Sequence, residues 1–229
     1  MGNSDSPYRI PQQKRSKESL ERLLDAAEEQ IRSEGLESLT IATVVGRAGL
    51  SVGAFYARFS DRTGLLHAVQ SRYHDRVEPP LRERLLTEVM PEETLAGAVA
   101  RAIDLLVDHV MGESQLSRAF MMSGVFDPVV RSKGEQVNRA RRDVLVSVLI
   151  PHREEIGHHD PVLAIHMAYG MYAAVIRGSL VFGLDHELYS SFSNQMVVDE
   201  LKQALTLYLR GEGDEQTAAG PDEGTSNTD

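Results

Sequence analysis

TIATVVGRAGLSVGAFYARFSDRTGLL, residues 40–66, holds two short helical patterns with a glycine between them. Thr40 stands where a hydroxyl can cap the first, and Ile41, Val44, Val45 and Ala48 share one of its sides. Gly49 ends that helix within about two turns. Ser51 caps the second, whose Val52, Phe55 and Phe59 are expected to point inward. Two short helices joined by a tight glycine turn form the unit whose second helix enters the DNA major groove. That groove is about 12 Å wide, so the entering face must be slim. Ser51, Gly53, Ala54, Ala57 and Arg58 supply such a face, with Tyr56 at its edge. A plain helical hairpin in an all-α core is the other reading of the same pattern.

Working outward, the rest of the chain also reads as helix. Leu20, Leu23, Leu24, Ala27 and Ile31 fall on one stripe of a helix expected over residues 16–33. Asp61 opens a longer helix from Arg62 to about Val77, which Pro79-Pro80 is expected to break. Beyond it the expected helices are 81–89, 92–111, 115–123, 128–149, 161–182 and 194–209. No stretch alternates long enough to make a strand. The fold class is therefore all-α: an N-terminal three-helix helix-turn-helix domain, then a C-terminal helical ligand-binding and dimerisation domain. The expected divisions are a flexible arm at 1–13, the reading domain at 14–62, the effector and dimerisation domain at 63–210, and an acidic disordered tail at 211–229.

Charge follows the same division. The chain carries 24 Lys and Arg against 34 Asp and Glu, net −10. Residues 1–70 hold nine of each, so the whole excess of acid lies beyond them. A neutral head with a basic arm on an acidic body suits a protein that touches phosphate at one end only. The chain has no cysteine, which excludes disulfides and thiolate chemistry. No apolar run reaches the roughly 18 residues of a membrane span, and the first residues are not signal-like, so a cytoplasmic protein is expected.

Residues 16–70 resemble the tetracycline-repressor (TetR) family of transcriptional regulators. The resemblance rests on Thr40, then Ala48-Gly49-Leu50-Ser51, then Tyr56, Phe59, Arg62 and Leu65-Leu66. It implies that Tyr56, Arg62 and Thr40 hold backbone phosphates, while Arg58, and to a lesser degree Ser51 and Val52, face base edges. Gly53 and Ala54 would let the helix lie close to DNA, and Lys14, Arg15 and Lys17 would extend the basic footprint. Val45 replaces a usual Ala, Ala54 a usual Thr or Ser, and Arg62 a usual Lys; each bears on which operator is read.

The segment from Pro161 to Gly183, PVLAIHMAYGMYAAVIRGSLVFG, is apolar nearly all round and rich in small residues. Such a helix must be covered on every side. With the final helix it resembles the family's two-helix dimerisation face, through Ala174, Gly178 and Val181 on one helix and Val197, Leu201 and Leu205 on the other. A core helix within one chain is the alternative. For a small-molecule pocket the candidates are Phe120, Met121, Met167, Met171 and Tyr172, with His166 or Arg177 as polar anchor. At helical spacing such residues also make ordinary core.

The partners implied are double-stranded DNA with a palindromic operator, a small-molecule effector and a second copy of the chain. The reading is a repressor released by an apolar effector. The alternatives are a helix-turn-helix regulator controlled by a protein partner, and an all-helical enzyme. No catalytic residue, metal or cofactor is expected: the chain lacks a His-Glu-x-x-His run, a phosphate loop and a nucleophile motif. His158-His159-Asp160 is better read with Asp160 as a helix cap.

Overall fold

A computed structural model describes residues 12–91, 94–182 and 192–211, with the side chains of 12–15 and 179–182 left aside. The flanking arm and the acidic tail beyond Gly211 lie outside the described residues, as do the side chains of Lys14 and Val181. Among the described residues the chain is all-α. The helices are α1 (Gln12–Glu34), α2 (Ile41–Ala48), α3 (Val52–Tyr56), α4 (Arg62–Glu88), α5 (Leu95–Gly112), α6 (Ser114–Phe126), α7 (Pro128–Leu149), α8 (Pro161–Phe182) and α9 (Asn194–Arg210), with 3₁₀ turns at Leu36–Ser38 and Ile150–Glu155.

The starts of the helices follow their capping chemistry. Asp61 Oδ1 accepts from Gly64 N at 2.8 Å, Asp160 Oδ1 from Leu163 N at 3.0 Å and Ser193 Oγ from Met196 N at 3.2 Å. Thr94 accepts from Gly97 N, which sets the start of α5 later than the expected residue 92. One expectation is corrected. Pro79-Pro80 does not break the fourth helix, which continues to Glu88. Proline already has a helical φ; what it removes is an N–H donor. Both prolines are exposed, as are Asp75 and Arg76, whose carbonyls lose those donors at a solvent-facing stretch where water can replace them.

Two compact units separate. One takes in the chain up to Pro80 together with Val110–Asn138; the other takes in Leu81–His109 and the chain from Arg139 onward. The first has a core built from α1 (Leu23, Ala27, Ile31), α2 (Val44, Ala48), α3 (Phe55), α4 (Leu65, Val69, Tyr73) and α6 (Leu116, Phe120). The reading head thus shares its core with helices well beyond residue 62.

The second unit is built on α5, the later part of α7, α8 and α9. Leu95, Leu105, Leu106, Ile165 and Leu205 are among its fully buried side chains. Lys202 on α9 reaches Asp104 on α5 at 2.5 Å; burial works against its charge, yet Asp104 and Asp199 together outweigh this and leave its pKa raised. Gly157 closes on the end of α9: its N donates to Leu209 O at 3.0 Å, and a Cβ there would stand 2.1 Å from Arg210 O. His158 Nε2 meets Tyr208 O at 2.6 Å, so the His158-His159-Asp160 run serves the loop and the α8 cap.

Candidate nucleic-acid interface

The turn between α2 and α3 is built from both sides. Thr40 caps α2 reciprocally with Thr43: Thr43 N donates to Thr40 Oγ1 and Thr40 N to Thr43 Oγ1, each at 3.2 Å. Gly49 takes the left-handed conformation, φ 59°, that closes the helix. Arg22 on α1 donates to the carbonyls of Ala48 and Gly49 and so satisfies the end of α2. A side chain at position 49 would meet Arg22 Nη2 at 2.8 Å, which is a second reason for glycine there. Sequence reading counted Arg22 only as a charge, since no local spacing ties residue 22 to residue 48.

Ser51 Oγ then accepts from Ala54 N at 3.2 Å and starts α3. Phe55 and Phe59 are buried with ring centroids 5.4 Å apart. The helical pattern puts Val52 inward, whereas the family resemblance puts it at base edges. It is 49% exposed and lies on the outer face, not in the core. The core side of so short a helix is filled by Phe55, and Val52 falls three residues earlier, at the open first turn. Tyr56 is 57% exposed, its ring edge-on to Phe55. Ser51 and Gly53 are also exposed, and Ala54 is half-buried, so the expected reading face exists as a surface.

The cations are held in two ways. Arg47 pairs with Glu34, and Arg32 with Glu28 and Glu113, so those charges are locally balanced. The Glu113 hydrogen bond, foremost, raises the Arg32 pKa above its ordinary value. Arg22, Arg58 and Arg62 instead donate to neutral oxygens, and among the described residues no carboxylate pairs with them. Arg58 Nη2 meets Ser16 O at 2.5 Å and Ser16 Oγ at 3.0 Å, and Arg62 Nη2 meets Leu36 O at 2.7 Å. Lys17, in the same turn as Ser16, is exposed.

Arg58 therefore lies beyond the end of α3 and turns its guanidinium back to the start of α1. Thr40 and Arg62 are both exposed, the first at the start of α2 and the second at the start of α4. Two short helices, a left-handed glycine between them and a set of unneutralised guanidinium groups form a helix-turn-helix head. Residues 23–69 match the family described as bacterial regulatory proteins, tetR family. The chain's helix-turn-helix segment is similar to that of the TetR family. Among curated relatives, the HTH-type transcriptional regulator BetI of Escherichia coli O17:K52:H18 is 31% identical over 99 residues, 43% of this chain. That alignment covers 48% of BetI, so the chain spans about half the length of that relative. BetI of Escherichia coli O157:H7 is 28% identical over 163 residues, covering 68% of this chain and 77% of the relative. In fold, a transcriptional regulator from Rhodococcus sp. Rha1 overlays with TM-score 0.63 at 23% identity, over 84% of this chain and 97% of that one. The regulator FadR from Bacillus subtilis, solved in complex with stearoyl-CoA, overlays with TM-score 0.57 at 17% identity, over 83% and 98%.

In the rest of the chain the expected site residues divide. Leu163, Met167, Gly170 and Ala174 form an exposed stripe at helical spacing on α8, with Gly178 half-buried in line with it. Met167, expected in a pocket, is 51% exposed and shares the stripe with Ala174. On α9 Val197 is half-buried, whereas Leu201 and Leu205 are buried against their own chain; Met196 and Leu207 are the exposed large apolar residues there. Of the pocket candidates, Phe120 packs on Tyr73 in the core of the first unit, centroids 5.3 Å apart, with Met121 half-buried beside it in sequence. Tyr172 is buried in the second unit, His166 and Met171 are half-buried and Arg177 is exposed. Among the described residues no cluster of metal-ligating side chains occurs, and no helix is long and apolar enough to cross a membrane.

Proposed function

We propose that this chain is a DNA-binding transcriptional repressor of the TetR family, acting as a two-fold dimer on an inverted-repeat operator. The observation that carries the reading is the exposed α3 surface, Ser51, Val52, Gly53 and Tyr56, flanked by Arg58 and Arg62 held on neutral oxygens. Thr40, Tyr56 and Arg62 are the phosphate contacts in this reading, and Lys14 and Lys17 extend the footprint. Dimerisation is assigned to the exposed stripe of α8 around Gly170 and Ala174, with Met196 and Leu207 of α9 alongside. A helix that is apolar nearly all round and bare on one side is stabilised by a second copy of itself, and paired half-sites need two heads.

The effector is proposed to be an apolar small molecule bound by the second unit, with Met171, Tyr172 and His166 on α8 as contacts. The stearoyl-CoA held by FadR, a protein of the same fold, supports an acyl-type ligand. Selection of bound sites from fragmented genomic DNA tests the whole reading. An inverted repeat should be recovered, and a compound that raises the thermal stability of the chain should release it. Recovery of no preferred sequence would remove the repressor reading. A ligand that stabilises the chain without changing operator affinity would favour control by a protein partner.

A further inference from the structure

The exposed outer face of α3 holds no free cation, and what it presents instead is apolar. Arg58, the residue expected to read bases, has its guanidinium on Ser16 O, Ser16 Oγ and, at 3.5 Å, Ala54 O. These contacts direct it along the body of the head toward α1. Val52 stands at the first turn of α3 with 49% of its surface bare, although a β-branched apolar side chain gains nothing from water there. Gly53 follows it. Its φ is not in the left-handed region, and a Cβ there would meet only Ser51 Oγ, at 3.8 Å. Among the described residues nothing requires glycine at position 53, and a helix is weakened by it. An open notch beside a bare isopropyl group is what a close-approaching base pair would use.

We infer that Val52 reads a thymine through its 5-methyl group, with Gly53 leaving room for the strand that carries it, and that Arg58 is a positioning residue. The inference rests on the DNA-binding reading above and adds the chemistry of the base. In the major groove, thymine alone among the four bases offers a methyl group, and an apolar side chain is its natural partner. Ser51 Oγ accepts from Ala54 N in the α3 cap, which holds the hydroxyl at the helix start and leaves it one donor and one lone pair. Arg58 bonds the turn of α1 that includes Ser16, adjacent in sequence to Lys17, and so fixes the first turn of α1 against the end of α3.

The test uses the full-length chain and duplexes carrying the selected operator, in which each thymine in turn is replaced by deoxyuridine. Removing one methyl should weaken binding about fourfold at one thymine in each half-site, and that sensitivity should vanish in Val52→Ala while the other positions behave as before. Because Val52 is exposed, the variant should melt with the wild type. In parallel, each guanine is replaced by 7-deazaguanine, which removes the N7 acceptor. Arg58→Ala should lower affinity for all duplexes alike, and Arg58→Lys should restore part of it. The inference is overturned if no deoxyuridine weakens binding, if the sensitivity survives in Val52→Ala, or if a single 7-deazaguanine weakens the wild type but not Arg58→Ala. Absence of any preferred duplex would instead overturn the DNA-binding reading itself, and this inference with it.

Discussion

Arg72 on α4 donates through Nε to the Glu28 carboxylate on α1 at 2.8 Å, although the Glu28 side chain is only 3% exposed. Arg32 and Arg76 reach the other carboxylate oxygen at 2.7 and 3.1 Å, and Asp25 and Glu21 complete the cluster around Arg72. Burial works against the charge of Arg72, but its bonds to Asp25 and Glu28 prevail and its pKa is raised. Glu28→Ala would leave three guanidinium groups around an emptied site. The expected cost is about 3 kcal/mol in urea unfolding, nearer the buried than the surface range because only the arginines are wetted. A loss below about 1 kcal/mol would show that the cluster behaves as an ordinary surface network.

The two glycines of the reading head should respond in opposite ways. Gly49→Ala forces a side chain into a left-handed residue and against Arg22, and should destabilise the chain by about 1–2 kcal/mol. Gly53→Ala, with open space around it, should leave stability unchanged or raise it by up to about 1 kcal/mol while weakening operator binding. Thermal melts and gel shifts on the same preparations separate the two effects.

Asp127 caps α7, accepting from Val129 N at 2.9 Å, and meets His67 on α4 at 2.7 Å. The hydrogen bond with His67, and then the backbone donors of Val130 and Val129, hold its carboxyl below the usual carboxylate range. A depressed carboxylate contributes stability that is present above its unfolded value, about 4, and is lost as the pH falls through the folded value. Asp127→Asn keeps the cap but removes this term. The variant should show a shallower loss of stability than wild type below about pH 4, measured by urea midpoints across an acid series; parallel curves would refute the assignment.

Leu205 and Ala174 test the proposed dimer face against the core. Leu205 is 2% exposed, so Leu205→Ala should cost about 2–5 kcal/mol of folding stability. Ala174 is exposed in the single chain, so Ala174→Glu should leave the fold intact and shift sedimentation toward monomer. A stable wild-type monomer at micromolar concentration would dispose of the dimer.

Arg62→Ala should weaken binding to specific and scrambled duplexes alike and lower the magnitude of the salt slope by about one. Its bond to Leu36 O leaves its charge unneutralised, which is why a phosphate role remains open to it. An unchanged salt slope would place Arg62 outside the DNA contact.

What the amino-acid order determined by itself was local. The capping hydroxyls of Thr40 and Ser51, the acids Asp61 and Asp160, the stop at Gly49 and the apolar periodicity of α1 each act within about one helical turn. Spacing was therefore enough to place α7 and α8 to the residue and to show the helix-turn-helix unit. The tertiary structure decided everything that depends on partners far along the chain. Arg22 meets a carbonyl 26 residues away, Arg58 one 42 residues away and Arg32 a carboxylate 81 residues away. Packing also decided that Val52, read both as inward-facing and as near base edges, is exposed, that Arg58 bonds Ser16 on α1, and that Leu201 and Leu205 are buried within their own chain. The physical reason is common to all: a side chain's role is set by which neighbours exclude water from it, and that is a property of packing, not of spacing.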